Sequence, residues 1–515
     1  MKSSGGKMKV KIEKRQNETK INPRLHGQFI EFLGNAINDG IWVGKESKIP
    51  NINGMRLDVI NALKEIEPPI IRWPGGVFAD HYNWQDGVGE KRKKVFNEGF
   101  GTYGVETNEF GTDEFLEFAS LIHSEPWINV NLLTGSAREM TEWMEYINRK
   151  QSTYLSKKRK DSGHEKPYDV NYWGIGNEVW GGGGMMTPEQ YVADYRKYAT
   201  AAPTFALNQF SEDSRYFILS GADANKPKER RYWTKSVMKE LSKARPPKVD
   251  GYDLHWYNWY LGNEFSASAT DFNANDWYQV IKGATELEDI LKEQYDLIQD
   301  GLDQLPEPEG EFDQKLEKID LILGEWGNWY GRAFFEEKAL YQQNTMRDAI
   351  TTAIVLDILH SNADKVKMAS MAQTINVLNA LILTNGEQFV LTPVYDIFKM
   401  YKVHRNNDVL DVTITDENSD HVKFFASIND KIIYLNVINF DLTETISVDI
   451  DLPGLVLQYQ KEELAANDMH ETNTFEDPNH LRAAIVEQRN NVSANELFDI
   501  SIKPMSVSVF KIVLG

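Results

Sequence analysis

Cysteine is absent from the 515 residues of this chain. That excludes disulfides, thiolate nucleophiles and cysteine-bound metals. Long apolar runs are missing too, and no stretch approaches the ~18 uninterrupted apolar residues of a membrane-spanning helix. Histidine is scarce, with 10 residues and no His-x-His pair, so a metal-dependent hydrolase centre has little support. Positive charge is outweighed, 56 Lys plus Arg against 77 Asp plus Glu, for a net charge of -21. Nucleic acids and anionic membranes repel such a surface, so neither is expected as a partner. The basic runs at 91–94 and 157–160 sit in polar surroundings and read as solvated loops. The opening residues, Met-Lys-Ser-Ser-Gly-Gly-Lys-Met-Lys, lack the apolar core of a secretion signal. A cytoplasmic location is the simplest expectation, although a secreted chain trimmed of its signal would read the same.

What is present is enough apolar residue, 41% with 11% aromatic, for a sizeable core. The length suggests two domains. Eight short apolar runs, at 25–31, 69–73, 127–133, 170–178, 216–221, 251–256, 319–325 and 366–373, read as buried parallel strands. Between them lie helical patterns over 55–66, 112–122, from Thr187-Pro188 onward, and over 342–359, the last as a long amphipathic helix. Eight strand–helix alternations predict an α/β fold, a (β/α)8 TIM barrel over 21–385. A doubly wound open sheet is the alternative, but no Gly-x-Gly-x-x-Gly loop follows the first strand. Beyond 385 the pattern alternates apolar and polar residues, at 409–415, 422–428, 431–439, 445–452 and 500–513. It predicts a C-terminal antiparallel β-sandwich over 386–515, with residues 8–20 adding an N-terminal strand to it.

Two of the eight runs end alike. The fourth closes on Gly176-Asn-Glu178-Val-Trp180 and the seventh on Gly324-Glu325-Trp326. Among 77 acidic residues, one glutamate at a strand end is usually structural. The same context twice is more specific, because barrel enzymes place their chemistry at the C-terminal ends of strands. Two carboxylates flanked by tryptophan suit the acid/base and nucleophile of a retaining glycosidase, which stand ~5–5.5 Å apart. The glycine run 181–184 lacks the Lys-Ser/Thr of a phosphate loop and reads as a rim loop.

The ordered motifs Phe29-Ile-Glu-Phe-Leu33, Ile71-Arg-Trp-Pro-Gly-Gly76, Tyr103-Gly-Val-Glu-Thr-Asn-Glu-Phe-Gly111 and Tyr172-Trp-Gly-Ile-Gly-Asn-Glu-Val-Trp-Gly181 carry a family likeness. So do Leu254-His-Trp-Tyr257, Gly324-Glu-Trp-Gly-Asn-Trp-Tyr330, Met371-Ala-Gln-Thr-Ile-Asn-Val377 and Leu391-Thr-Pro-Val-Tyr-Asp-Ile-Phe398. Together they resemble glycoside hydrolase family 51, the α-L-arabinofuranosidases. The resemblance implies Glu178 as acid/base and Glu325 as nucleophile. It implies Asn177 on the sugar 2-hydroxyl, Arg72 on the nucleophile, Glu31 and Gln373 on ring hydroxyls, and His255 and Tyr257 beside the carboxylates. Trp326 and Trp180 could stack on sugar faces. Read without the motif, Arg72 could equally be a buried ion-pair partner and His255 a satisfied core histidine.

Two positions depart from the family pattern. Val77 stands where many members have Asn, and Gly324-Glu-Trp-Gly327 replaces Asp-Glu-Trp-Asn. Both departures bear on sugar preference rather than mechanism. The expected function is release of terminal α-L-arabinofuranosyl units from arabinoxylan- or arabinan-type oligosaccharides by double displacement. The alternatives are an endo-β-1,4-glucanase or β-xylosidase on the same scaffold and, in another class, a non-catalytic carbohydrate-binding protein. No cofactor or metal is expected. The resemblance implies a homo-oligomer, a hexamer in this family.

Overall fold

Runs that are apolar on both faces need cover on both, and a closed barrel ringed by helices supplies it. In the computed structural model, which describes residues 7–98, 104–205, 214–259, 265–307, 316–414, 420–490 and 498–515, all eight runs become parallel strands of one closed barrel. Strand β1 (Met8–Lys14) precedes it. The barrel follows as β2 (Gly27–Phe29), β3 (Ile70–Trp73), β4 (Glu125–Val130), β5 (Tyr172–Ile175), β6 (Tyr216–Asp223), β7 (Gly251–Asn258), β8 (Asp320–Asn328) and β9 (Val366–Ala372). Neighbours pair in chain order, and β9 closes onto β2 through Ser370 opposite Gly27. Alternation sorts the side chains. Ile70, Trp127, Ile218, Ile322 and Met368 form one cluster inside the barrel, whereas Ile71, Ile128, Trp173, Leu219 and Leu323 join the large core shared with the helices.

The helices form where caps and periodicity favour them. Thr187 caps Pro188–Ala201 by accepting from the Gln190 N–H, while the Gln190 side chain returns the bond to Thr187. Thr112 is the first residue of Thr112–Leu121 rather than its cap; the Glu114 carboxylate accepts the Gly111 N–H at 2.9 Å instead. The expected amphipathic helix at 342–359 is Met346–Ser361, capped by Thr345 with Asp348, and it is not amphipathic. Every residue from Met346 to His360 is buried, because the barrel covers one side and the C-terminal sheet the other.

That sheet has nine strands in the order β15-β14-β17-β12-β11-β10-β1-β13-β16. They are β10 (Asp408–Ile414), β11 (Val422–Asn429), β12 (Ile432–Asn439), β13 (Ile446–Asp451), β14 (Val456–Ala465), β15 (Ala484–Asn490), β16 (Phe498–Ile502) and β17 (Ser506–Leu514). Residues from both halves, Val10, Ile12, Val448 and Ile450 with Leu435, Val437 and Phe510, share one apolar cluster, so the sheet folds over its own core as a sandwich. The N-terminal β1 lies inside it, antiparallel to β10 and parallel to β13. The run expected at 500–513 is two strands, broken at Pro504 and Met505, whose φ of 45° turns the chain. Strands β14 and β15 had no counterpart in the sequence pattern. Tyr103 and Thr415 of the sequence motifs lie outside the described residues.

A histidine stack ties the two parts together. His26, just before β2, meets His360 at 2.8 Å between Nε2 atoms, with the rings stacked. His404 lies 5.4 Å further on, bonded to Ser427 Oγ and Asn436 Oδ1, and Asn436 donates to Asp357. Burial drives His26 and His360 well below the ordinary histidine range and His404 down to about 4. The folded state therefore holds neutral imidazoles, while the unfolded chain takes up protons below 6.5. Stability falls as pH falls through that window. The His404→Gln variant should lose about 1.4 kcal/mol less per pH unit than the wild type between 6.5 and about 4, measured by urea unfolding at a series of pH values. Parallel slopes would exclude His404 as a contributor.

Candidate active site

The C-terminal ends of the barrel strands open into a cavity of about 240 Å³. Glu31, Asn177, Glu178, Tyr257, Glu325 and Gln373 line it, with Gly76, Val77 and Gly182 on one wall. Arg72 and His255 lie just beneath, fully enclosed, and hold the lining carboxylates. The strand ends therefore gather eight of the ten expected site residues around one space, Trp326 and Trp180 being the exceptions.

Glu178 sits in a tight turn after β5. Gly181 and Gly183 donate to its carbonyl at 2.7 and 3.1 Å, and its φ of 42° lies in the left-handed region. A non-glycine residue held there costs on the order of 1–3 kcal/mol and marks a constraint on where the side chain points. The carboxylate meets His255 Nδ1 at 2.9 Å and remains 22% exposed toward the mouth.

Glu325 leaves β8 at an irregularity in pairing between Leu323 and Trp326. The bulge turns the carboxylate inward. Arg72 Nη1 donates to Oε1 and Tyr257 to Oε2, both at 2.7 Å, and His255 Nδ1 lies 3.5 Å away. Arg72 also grips the Asn177 Oδ1 at 2.5 Å, and its guanidinium lies over the rings of Phe29 and Trp127. A Cβ on Gly76 would come within 2.8 Å of Glu325 Oε1, so only bare backbone fits at this wall.

Glu31 accepts from the backbone N–H of Gly76 and Phe78 and from Gln373 Nε2 at 2.9 Å. Burial, with the neighbouring Glu325 charge, pushes it up to about 7. Asn177 Nδ2 and Gln373 Oε1 are buried with no protein partner among the described residues. Both residues line the cavity, where a ligand's hydroxyl groups could meet these atoms.

The two candidate carboxylates are driven apart in acidity. Burial raises Glu178, and the Glu325 charge adds to this against the His255 hydrogen bond. Burial also acts upward on Glu325, but His255, Arg72 and the Tyr257 hydroxyl outweigh it and hold the group below the ordinary carboxylate range. His255 itself is pushed up to about 10 although burial opposes it, because Glu325, Asp253 and Glu178 surround it. The site thus contains a proton donor, an ionised carboxylate and fixed cations between them.

Oxygens of Glu178 and Glu325 and a nitrogen of His255 lie within 4.8 Å of one another, a set that could ligate a cation. Arg72 already occupies Glu325 Oε1, and a proton occupies His255 Nδ1. A metal would have to displace both, so the donor chemistry fits a metal poorly.

Three expectations need correction. Trp326 follows Glu325 on an extended strand and so faces the opposite way, packed in the core near Phe398 at 6.2 Å between rings; it cannot reach a sugar in the cavity. Trp180 does not line the cavity either; its indole N–H is committed to the Gly221 carbonyl at 3.0 Å. A Cβ on Gly327 would run into Asn379 and the Ala372 carbonyl, and Gly327 does not line the cavity, so of the two departures from the family pattern only Val77 lines this space. Residues not anticipated complete the walls. Phe32, Leu33, Phe78, Trp329 and Leu378 lie inside or beside the sequence motifs, and Leu340 comes from a loop that carries no periodic signal. Asp253, one position before the Leu-His-Trp-Tyr motif, bonds His255 Nε2 at 3.1 Å.

Comparison with known proteins agrees with this geometry. Residues 62–277 match the α-L-arabinofuranosidase 1 domain and residues 324–506 the α-L-arabinofuranosidase C-terminal domain. The chain is 37% identical over 488 residues to an intracellular exo-α-L-arabinofuranosidase of Bacteroides ovatus, covering 92% of this chain and 90% of that protein. It is 31% identical to the probable α-L-arabinofuranosidase C of Aspergillus fumigatus, over 76% of this chain and 74% of that one. The crystal structure of the family 51 arabinofuranosidase from Xanthomonas axonopodis pv. citri superposes with a TM-score of 0.86 at 30% identity, covering 98% of this chain and all of that one. The α-L-arabinofuranosidase of Thermotoga maritima, in its arabinose complex, gives 0.82 at 27% identity, over 98% of this chain and all of that one. The chain belongs to glycoside hydrolase family 51, the α-L-arabinofuranosidase family.

Proposed function

We propose that this protein releases terminal α-L-arabinofuranosyl units from arabinoxylan- or arabinan-type oligosaccharides with retention of configuration. The observation that carries the reading is the close approach of Glu178 and Glu325, within 4.8 Å, combined with their opposite shifts in acidity. A retaining pair needs that spacing, and an inverting pair would stand ~6.5–9.5 Å apart to admit water between. The Glu325 carboxylate attacks the anomeric carbon. The glycosidic C–O bond breaks, and Glu178 delivers its proton to the departing oxygen. Glu178, now ionised, takes a proton from water; the hydroxide replaces Glu325 on the sugar and frees the nucleophile. Asn177 Nδ2 and Gln373 Oε1 serve the sugar hydroxyls with Glu31. The cavity, smaller than the ~300–1,000 Å³ of sites for drug-sized ligands, supports capture of one terminal sugar rather than a continuous chain. Action inside the cell fits the name of the intracellular Bacteroides ovatus relative. A homo-oligomer remains part of this reading.

Glu325→Ala should lose several orders of magnitude in turnover of an aryl arabinofuranoside. Azide should restore product of inverted configuration, observed by NMR of the released glycosyl azide. Near-normal turnover would remove Glu325 from its role.

Glu178→Ala should cost about 10²–10⁴-fold on substrates with poor leaving groups and far less on nitrophenyl glycosides, whose departure needs little protonation. In the wild type, kcat/KM should rise with pH through a limb below 4.5, as Glu325 ionises, and fall through a limb above 4.5, as Glu178 loses its proton. Equal losses on both substrate classes would contradict the assignment.

Val77 presents only carbon to the sugar, its methyl 3.2 Å from the Cβ position of Gly182. A wall without a hydrogen-bonding group discriminates less among sugars. Arabinofuranosidase activity should therefore be accompanied by measurable β-xylosidase activity. Val77→Asn should sharpen the preference by about 0.5–1.5 kcal/mol in relative kcat/KM. Strict specificity in the wild type, unchanged in the variant, would refute it.

A further inference from the structure

One buried carboxylate has no task in the chemistry above. Asp253 lies on β7 two residues before His255, on the same side of the strand. Its Oδ2 meets His255 Nε2 at 3.1 Å, while the other ring nitrogen faces Glu178 Oε1 at 2.9 Å and Glu325 Oε1 at 3.5 Å. One imidazole thus joins three carboxylates. Both ring nitrogens face acceptors, and only the doubly protonated ring donates to both sides.

Space for Asp253 comes from the neighbouring strand. A Cβ on Gly324 would stand 2.0 Å from Asp253 Oδ1 and 2.5 Å from Oδ2. Gly324 does not occupy the left-handed region, so its own backbone does not demand glycine. The demand comes from the side chain opposite. The residue immediately before Glu325 has no side chain because a carboxylate from β7 fills its place.

We propose that Asp253 is a positioning residue for proton transfer: it anchors Nε2–H of His255 and so aims Nδ1–H at Glu178, orienting the acid/base between protonation states. The proposal rests on the reading of Glu178 as acid/base. The charged groups facing the ring are Glu178 beyond β5, Asp223 on β6, Glu325 on β8 and, through Glu325, Arg72 on β3. Asp253 is the one that holds the nitrogen remote from the chemistry. Its removal frees the ring to turn and weakens its hold on the second proton.

The test uses Asp253→Asn, which keeps shape and removes charge, and the relocation variant Asp253→Ser with Gly324→Asp, which returns a carboxylate to the same space from β8. Nitrogen NMR of the His255 ring should show its proton lost at least about one pH unit lower in Asp253→Asn than in the wild type. Turnover of poor leaving groups should fall about tenfold or more, with nitrophenyl substrates and KM little changed. The relocation variant should recover part of both. A folded Asp253→Asn with wild-type His255 titration and an unchanged leaving-group ratio overturns the proposal, as does equal loss on all substrates without recovery on relocation. If Glu178→Ala itself shows no leaving-group dependence, the acid/base reading and this proposal fall together. If Glu178→Ala behaves as expected and Asp253→Asn does not, only the role of Asp253 falls.

Discussion

The ion pair of Arg72 and Glu325, closed at 2.7 Å in the middle of the barrel, governs the chemistry around it. A buried charge is costly unless paired and hydrogen-bonded. Here the two terminal nitrogens of the guanidinium bond Glu325, the Gly324 carbonyl and Asn177, while Nε has no hydrogen-bond partner among the described residues, and the group rests over two aromatic rings. Holding Glu325 ionised leaves little room for further negative charge nearby. Burial first, and the Glu325 charge with it, make Glu178 and Glu31 keep their protons to higher pH, and the same charge helps His255 hold its second proton. One ion pair thereby helps to sort three neighbours into donors and acceptors. The same guanidinium ties Asn177, and so the turn that carries Glu178, to the strand that carries Glu325.

The wall residues follow from that arrangement. Gly76 brings backbone against the nucleophile, and its N–H, with that of Phe78, fixes Glu31. No side chain is available there to bond a hydroxyl, and Val77 next to it adds only methyl groups. In the proposed reading, selectivity in this cavity rests on Asn177, Gln373 and Glu31 for the hydroxyl pattern and on shape supplied by Phe32, Trp329 and Leu340, all of which line it.

Much of this was legible in the sequence because barrel strands announce themselves as short runs without alternation, and each run here became a strand. Glu178 and Glu325 could be read because their glycine-flanked strand ends repeat. What stayed hidden was direction. Trp326 looks like a platform in one dimension, but a strand sends successive side chains to opposite faces, and the bulge at Gly324 decides which face Glu325 takes. Met346–Ser361 misled for a related reason: its outer surface is apolar for the sheet that covers it, a partner far away in sequence. Asp253 and Gly324 form a complementary pair on different strands, and only the folded barrel shows that one makes room for the other. Leu340 and Leu378 reach the cavity from loops with φ of 56° and 52°, where no periodicity exists to read.

The placement of β1 sets an order on synthesis. This strand is made well before the strands on both its sides, β10 and β13, which follow it by almost 400 residues or more. At ribosomal speeds of about 5–20 residues per second, it waits tens of seconds for partners. During that wait Met8, Val10 and Ile12 are an open sticky edge. Lys9, Lys11 and Glu13 alternate with them, and charges at that spacing discourage pairing with a passing nascent chain. The barrel can close around its own strands while the ribosome is still working, but the sheet beside it is joined only when β10 and β13 arrive to flank β1.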